Sequence, residues 1–171
     1  MRKRKWLNLL SFATVCALLV YASAAFAAPI PDTGDPSERI CNPHSYTDLG
    51  NGIIKDNVTG LMWQKATAPG TYTWAQAVDY CNNLSLGGYT DWYLPTILEL
   101  STLVDSSISF PGPTINRSYF PDTVASWYWS STSPPDAYGT DAASHVDFYD
   151  GNVYNYFKAY GLYVRAVRAG Q

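Results

Sequence analysis

The sequence predicts an α+β fold of two helices and six or seven short strands. Two segments carry a capping box followed by an apolar stripe at helical spacing: TWAQAVDYCNNLSLGG from Thr73 and PTILELSTLVDSS from Pro95. Elsewhere the apolar residues fall in short runs punctuated by Gly and Asn, as strands and turns do. Near the end, SHVDFY and NVYNYF flank Asp150-Gly151, a strong signal for a two-residue hairpin turn.

Between Tyr46 and Lys65 the chain divides at Gly50-Asn51-Gly52 and at Gly60 into short extended pieces. The first helix takes Thr73 as its N-cap, with Gln76 three residues later. Trp74, Ala77, Val78, Cys81 and Leu84 form its stripe, and Gly87-Gly88 ends it. YTDWYLP follows as a brief strand or extended connection. The second helix is capped by Thr96 with Glu99, and its stripe is Ile97, Leu100, Leu103 and Val104. Residues 106–123 read as a surface loop anchored by Phe110, Tyr119 and Phe120. SWYWSST is a strand with Trp127 and Trp129 on one face and Tyr128 on the other. Residues 133–144 form an irregular loop, and LYVRAVR closes the chain as a further strand. Trp63, Trp74, Trp92 and Trp129 are assigned to the core, since each lies in a half-buried motif.

A two-residue turn at Asp150-Gly151 sets a register in which His145 opposes Tyr156, Asp147 opposes Tyr154 and Tyr149 opposes Asn152 on one face. Phe148 with Val153, and Val146 with Asn155, make the other. The first face is read as solvated and rich in Tyr, Asn and Asp; the second is more apolar.

Residues 1–27 have the tripartite form of a secretory signal peptide. Arg2 to Lys5 are basic, an apolar run spans Leu9 to Tyr21, and Ala25-Phe26-Ala27 offers a cleavage site before Ala28. The apolar run is short for a membrane span. The expectation is an exported protein, periplasmic, cell-surface or extracellular, that meets the membrane only through this segment before cleavage. Residues 28–45 read as a Pro- and Asp-rich arm, and 46–169 as the folded domain.

The whole chain of 171 residues has a net charge of −3. Loss of Arg2, Lys3, Arg4 and Lys5 lowers Lys+Arg from 11 to 7 against 14 Asp+Glu, so the mature charge is −7. That surface gives no long-range attraction to nucleic acid. A local basic patch of Lys158, Arg165 and Arg168 remains conceivable from their spacing. The mature cysteines are Cys41 and Cys81, which in an exported chain read as one disulfide; two unpaired thiols are the alternative. The bridge would close a loop of about 40 residues and stabilise by up to ~4 kcal/mol in the chain-entropy model.

KDNVTGLMWQK (55–65), TWAQAVDYCNNLSLGGYTDWYLPTILEL (73–100), YWSST (128–132) and HVDFYDGNV with YVRAVR (145–168) resemble, in that order, the bacterial family named for the C-terminal domain of the collagen-like adhesin Lcl. The resemblance implies a C-type-lectin-like fold, related to sulfatase-modifying factors, with two helices on small, mostly antiparallel sheets. It implies adhesion or carbohydrate binding. Two positions depart from the family pattern: Tyr93 stands where Arg is common, and Ala166 where Cys is frequent. In the family that Cys can pair with the helix cysteine, here Cys81; its replacement leaves Cys41 as the mature partner. The resemblance also implies the adhesin's binding of sulfated glycosaminoglycans and its trimerisation through collagen repeats; this chain has no such repeats, and at a mature charge of −7 it is left open whether the glycosaminoglycan binding carries over.

Sugar sites use aromatic faces for stacking and Asn, Asp and Tyr for hydrogen bonds. The hairpin face of His145, Asp147, Asn152, Tyr154 and Tyr156 has that chemistry, as does the neighbouring loop with Asp136, Tyr138 and Asp141. These eight residues are the candidate ligand site. Exposed tyrosines as plain strand formers are the alternative. Calcium could use Asp136, Asp141, Asp147 or Asp150, but the chain has no EF-hand loop and lacks the paired Glu/Asn motif of sugar-binding C-type lectins. Ser130 or Ser131 with His145 and an Asp would make a triad, yet no G-x-S-x-G surrounds either serine. A carboxylate pair for glycoside hydrolysis is a matter of geometry alone. The sequence therefore predicts a non-enzymatic binding module with no metal or cofactor. Its partner is a glycan or another surface macromolecule; the alternatives are a structural envelope protein and a cryptic hydrolase.

Overall fold

Glycine turns cut the first stretch of the domain into three strands, β1 (Tyr46–Gly50), β2 (Ile53–Asp56) and β3 (Met62–Gln64). Two helices follow, α1 (Trp74–Asn82) and α2 (Ile97–Ser101), then β4 (Trp127–Trp129), β5 (Ala142–Asp147), β6 (Asn152–Phe157) and β7 (Val167–Arg168). The computed structural model describes residues 44–134 and 141–170. The signal segment, the arm with Cys41, and Asp136 and Tyr138 of the irregular loop lie outside the described residues.

The strands form two antiparallel sheets, one in the order β1-β2-β3-β7 and one in the order β4-β5-β6. The architecture is α+β, two short helices with two small antiparallel sheets. Both capping boxes form. Thr73 accepts from the Gln76 amide and Thr96 from the Glu99 amide, while each N3 side chain returns to the cap backbone. α2 is one turn shorter than its stripe suggests. Ser101 Oγ donates to the Ile97 carbonyl and Thr102 Oγ1 to the Glu99 carbonyl, and such back-bonding competes with helix continuation. The Asp105 amide then turns away to the Thr114 carbonyl. Leu103 stays buried even so.

The apolar side chains gather in two clusters. One joins Ile54, Trp63, Leu100, Tyr128, Val146 and Phe148; the other joins Cys81, Trp92, Trp129, Ala143, Val164 and Ala166. Each fully buried large side chain contributes about 1.5–3 kcal/mol. Trp63, Trp92 and Trp129 are core residues, as expected, whereas Trp74 is half-buried beneath Lys158 Nζ at 4.5 Å from its ring. Phe110 is 64% exposed and packs edge-on against Tyr149, so it is no anchor of the 106–123 loop; Ile115 and Phe120 are the buried apolar residues there.

Arg165 and Arg168 form no surface patch. Arg165 is wholly buried. It donates to the carbonyls of Gln64 and Lys65 and to the hydroxyls of Thr67 and Thr123, and its guanidinium lies 4.8 Å from the Phe120 ring centroid. Arg168 makes a two-pronged bond to Asp91 at 2.7 and 3.0 Å. Both tie distant segments to the last strand.

The hairpin departs from its expected register. His145 pairs with Tyr154, Ala143 with Tyr156 and Asp147 with Asn152, two residues from the pairing a two-residue turn would set. Tertiary partners claim the backbone beyond Asp147. The Phe148 amide donates to Ser126, its carbonyl accepts from the Thr114 amide and hydroxyl, and the Tyr149 carbonyl accepts from Gly112. Residues 148–151 become the turn, closed by the Gly151 amide on the Asp147 carbonyl at 2.7 Å. Gly151 has a φ of +75°, and a Cβ there would sit 2.9 Å from Val104. A slip of two residues preserves strand faces, so the composition of the face survives.

Candidate functional site

The site is the outer face of β4-β5-β6. Alternation along three paired strands places Trp127 and Trp129, then Ala143, His145 and Asp147, then Asn152, Tyr154 and Tyr156, on the same side. Near Trp129 and Ala143 this side is closed by the core, because Trp129 Nε1 donates to the Tyr72 carbonyl and Trp74 Nε1 to the Ser130 carbonyl. Near Trp127 it opens to solvent. Trp127 is 38% exposed and Tyr154 46%, with Tyr156 half-buried between Trp127 and Tyr160 at centroid separations of 4.9 and 4.8 Å.

His145 lies in the middle of these rings. Its centroid is 5.1 Å from Trp127, 6.1 Å from Trp129, 6.0 Å from Tyr154 and 6.2 Å from Tyr156. It is 2% exposed, and among the described residues neither ring nitrogen has a hydrogen-bond partner. Loss of hydration disfavours the charged imidazolium and pulls its pKa down to about 4, against a weaker upward pull from Asp150. The ring is therefore neutral at physiological pH, with one donor and one acceptor nitrogen unused.

Two aspartates brace the exposed rings. Trp127 Nε1 donates to Asp147 Oδ2 at 2.9 Å, while Asp147 Oδ1 accepts from the Tyr149 amide. The Tyr154 hydroxyl donates to Asp150 Oδ2 at 2.8 Å, and Asp150 Oδ1 accepts from the Asn152 amide. Partial burial pushes the Asp150 pKa upward, but the bonds from Asn152 and Tyr154 outweigh it and hold the carboxyl below its usual range. The Tyr154 phenol is raised, chiefly by its bond to that carboxylate.

The structure thus brings together five of the eight expected residues: His145, Asp147, Asn152, Tyr154 and Tyr156. It corrects the reading of their exposure, since His145 and Asp147 are buried rather than solvated. Trp127 is the physical reason, as its indole packs on one and bonds the other. Asp141 lies apart: it is exposed before β5, and its carbonyl accepts from the Lys158 amide. Asp136 and Tyr138 fall outside the described residues. Trp127 and Tyr160 join the site without having been candidates for it, and Asp150, weighed there only as a calcium ligand, joins by bracing Tyr154. The available signal was the Trp127/Trp129 alternation, which puts Trp127 on the His145 face once β4 pairs with β5.

No triad forms around His145. Ser130 Oγ donates to the Ser144 carbonyl at 2.6 Å, and neither imidazole nitrogen bonds a described serine or aspartate. Among the described residues no three His, Cys, Asp or Glu side chains gather as a metal ion would require. Cys81 is fully buried and has no disulfide partner among the described residues, and burial pushes its thiol pKa up to about 12; its expected partner Cys41 lies outside those residues. No helix of the described residues is long and apolar enough to cross a membrane. An open depression of about 580 Å³ runs along α1 between Tyr72, Gln76, Asp79, Tyr80 and Asn83.

Fold and site define a small α+β domain that presents an aromatic, carboxylate-braced sheet face. The chain belongs to the Lcl C-terminal domain family, whose sequence profile matches residues 52–168. That span runs from the turn before β2 to the last residue of β7. No curated protein matches the chain.

Proposed function

We propose that this protein is an exported, non-enzymatic binding module that engages a glycan through the β4-β5-β6 face. The observation that carries this reading is the group of solvent-facing rings of Trp127, Tyr154 and Tyr156 around a buried imidazole with two unused nitrogens. Pyranose rings present C–H faces that stack on aromatics and hydroxyls that both donate and accept. The neutral imidazole beneath the rings adds no charge to the face, and Asn152 and the two braced aspartates supply polar groups at its rim. The family's lectin-like relationship points the same way. The missing nucleophile–base hydrogen bond at His145 favours binding over hydrolysis. The signal-like first 27 residues support an exported location, and mass spectrometry of the exported form should find Ala28 at its start.

A glycan array with the purified mature protein tests this reading. Binding that survives in the monomer and is lost in Trp127→Ala and Tyr154→Ala supports it; binding indifferent to both changes overturns it. A protein–protein role is the second reading. It draws on β6 as the outer strand of its sheet, with Phe157 and Tyr160 exposed beside it. Self-association or partner capture that Phe157→Asp abolishes, without sugar binding, would favour that reading.

A further inference from the structure

We propose that the saccharide taken by the Trp127–Tyr154–Tyr156 face is an amino sugar bearing a free, protonated amine. This inference rests on the glycan reading above and assigns its ligand a charge. Residues 118–157 contain five aspartates and not one Lys or Arg. The basic residues that follow or pack nearby are occupied elsewhere: Lys158 lies over Trp74 and donates to Ser133, and Arg165 is sealed in the core. Among the described residues the face therefore presents no cation to receive a sulfate or a uronate, and Asp147 and Asp150 would repel one.

The same arrangement suits a cation. Aromatic faces attract ammonium groups through their quadrupole, and indole is the strongest of them. Here the indole N–H and the Tyr154 O–H each donate to a carboxylate oxygen, at 2.9 and 2.8 Å. That polarisation pushes electron density into the rings and strengthens their pull on a positive charge. The bonds also fix the rings, so less side-chain freedom is lost on binding. His145 completes the site as a neutral group with unused nitrogens, 98% buried among the same rings; a charged imidazolium there would oppose the amine. The ammonium would sit against the exposed Trp127 and Tyr154 rings near Asp150, with sugar hydroxyls meeting Asn152 at the rim.

The test compares three trisaccharide probes by titration calorimetry on the mature protein: the glucosamine trisaccharide, its N-acetylated counterpart and an O-sulfated form of the latter. The glucosamine probe should bind roughly tenfold more tightly than the acetylated one, since acetylation turns the cationic ammonium into a neutral, bulkier amide. The sulfated probe should bind most weakly. Added salt should weaken the glucosamine probe and leave the acetylated one nearly unchanged. Asp147→Asn with Asp150→Asn keeps both acceptors for Trp127 and Tyr154 but removes the charges. This double variant, checked for an unchanged melting temperature, should bring the amine preference close to unity. If the acetylated probe binds as tightly as the amine and Tyr154→Ala abolishes both, the charge assignment is overturned and the glycan reading stands. If the glucosamine probe does not bind, the inference is overturned; an array with no Trp127-dependent sugar overturns the underlying reading as well.

Discussion

His145 should make this protein acid-labile over a definite window. The side chain is 2% exposed, its nitrogens are unpartnered among the described residues, and burial pulls its pKa from 6.5 down to about 4. In the unfolded chain the imidazole takes up a proton near 6.5; in the folded chain it resists until about 4. The unfolded state therefore binds more protons between these values, and stability falls as pH drops through the window. It is fully present above 6.5 and fully lost below about 4. A shift of this size corresponds to about 3 kcal/mol, a sizeable share of the stability of a small domain. The carboxylates held below their usual range by partners, such as Asp48 by Lys65 and Asp91 by Arg168, act in the same direction but from about 4 downward. Urea unfolding of wild type and His145→Phe at several pH values separates the two contributions. The variant keeps a ring among Trp127, Trp129, Tyr154 and Tyr156 and removes two unpaired polar atoms. At neutral pH it should lie within about 1 kcal/mol of wild type, because relief of those atoms offsets the extra bulk. Between 6.5 and 4 its stability should stay flat while that of wild type declines. Parallel curves for the two proteins would refute the reasoning. So would a variant several kcal/mol less stable at neutral pH, which would mean the nitrogens hold partners.

Tyr154→Ala should leave folding within about 1 kcal/mol of wild type, since the ring is half exposed, whereas Trp129→Ala on the same strand face should cost about 3–5 kcal/mol; thermal melts decide both. Arg165→Ala should destabilise by about 3–5 kcal/mol by abandoning the Gln64 and Lys65 carbonyls, and Arg165→Lys should not rescue it, because an ammonium cannot span four acceptors in a plane; denaturant titration measures both. Cys81 should resist alkylation in the folded protein, as a buried thiol with a pKa near 12 must. In denaturant without reductant, exported protein should still show no alkylation at Cys81 if it is bridged to Cys41, and peptide mapping should recover the cross-linked pair.

Ala166 and Cys81 share one apolar cluster, both fully buried. A cysteine in place of Ala166, as the resemblance implies, would therefore lie in the same cluster as Cys81 of the helix. Tyr93 likewise has a visible role: its hydroxyl donates to buried Glu99 at 2.8 Å, the carboxylate that also closes the α2 capping box. An arginine, which the resemblance implies at this position, would serve the same carboxylate with a charge.

Local chemistry was legible in the chain itself. Capping boxes act within four residues, so Thr73 with Gln76 and Thr96 with Glu99 could be read directly, and both form. Strand alternation depends only on the period of two, so the companionship of His145, Asp147, Asn152, Tyr154 and Tyr156 on one face was readable even with the register off by two. Register itself was decided at long range, when Ser126, Gly112 and Thr114 claimed the backbone of Phe148 and Tyr149 and converted a two-residue turn into a longer one. Burial was decided there too. A histidine beside tyrosines looks solvated in sequence; pairing β4 with β5 brings Trp127 across it, strips its water and lowers its pKa. Arg165 and Arg168 show the same division: their charge is evident in sequence, but only the packing of the last strand against residues 64–67 and 91 turns two apparent surface cations into buried clamps. Properties that depend on neighbours in the chain were set by the sequence alone, whereas those that depend on which surfaces meet, and so on desolvation, waited for the tertiary structure.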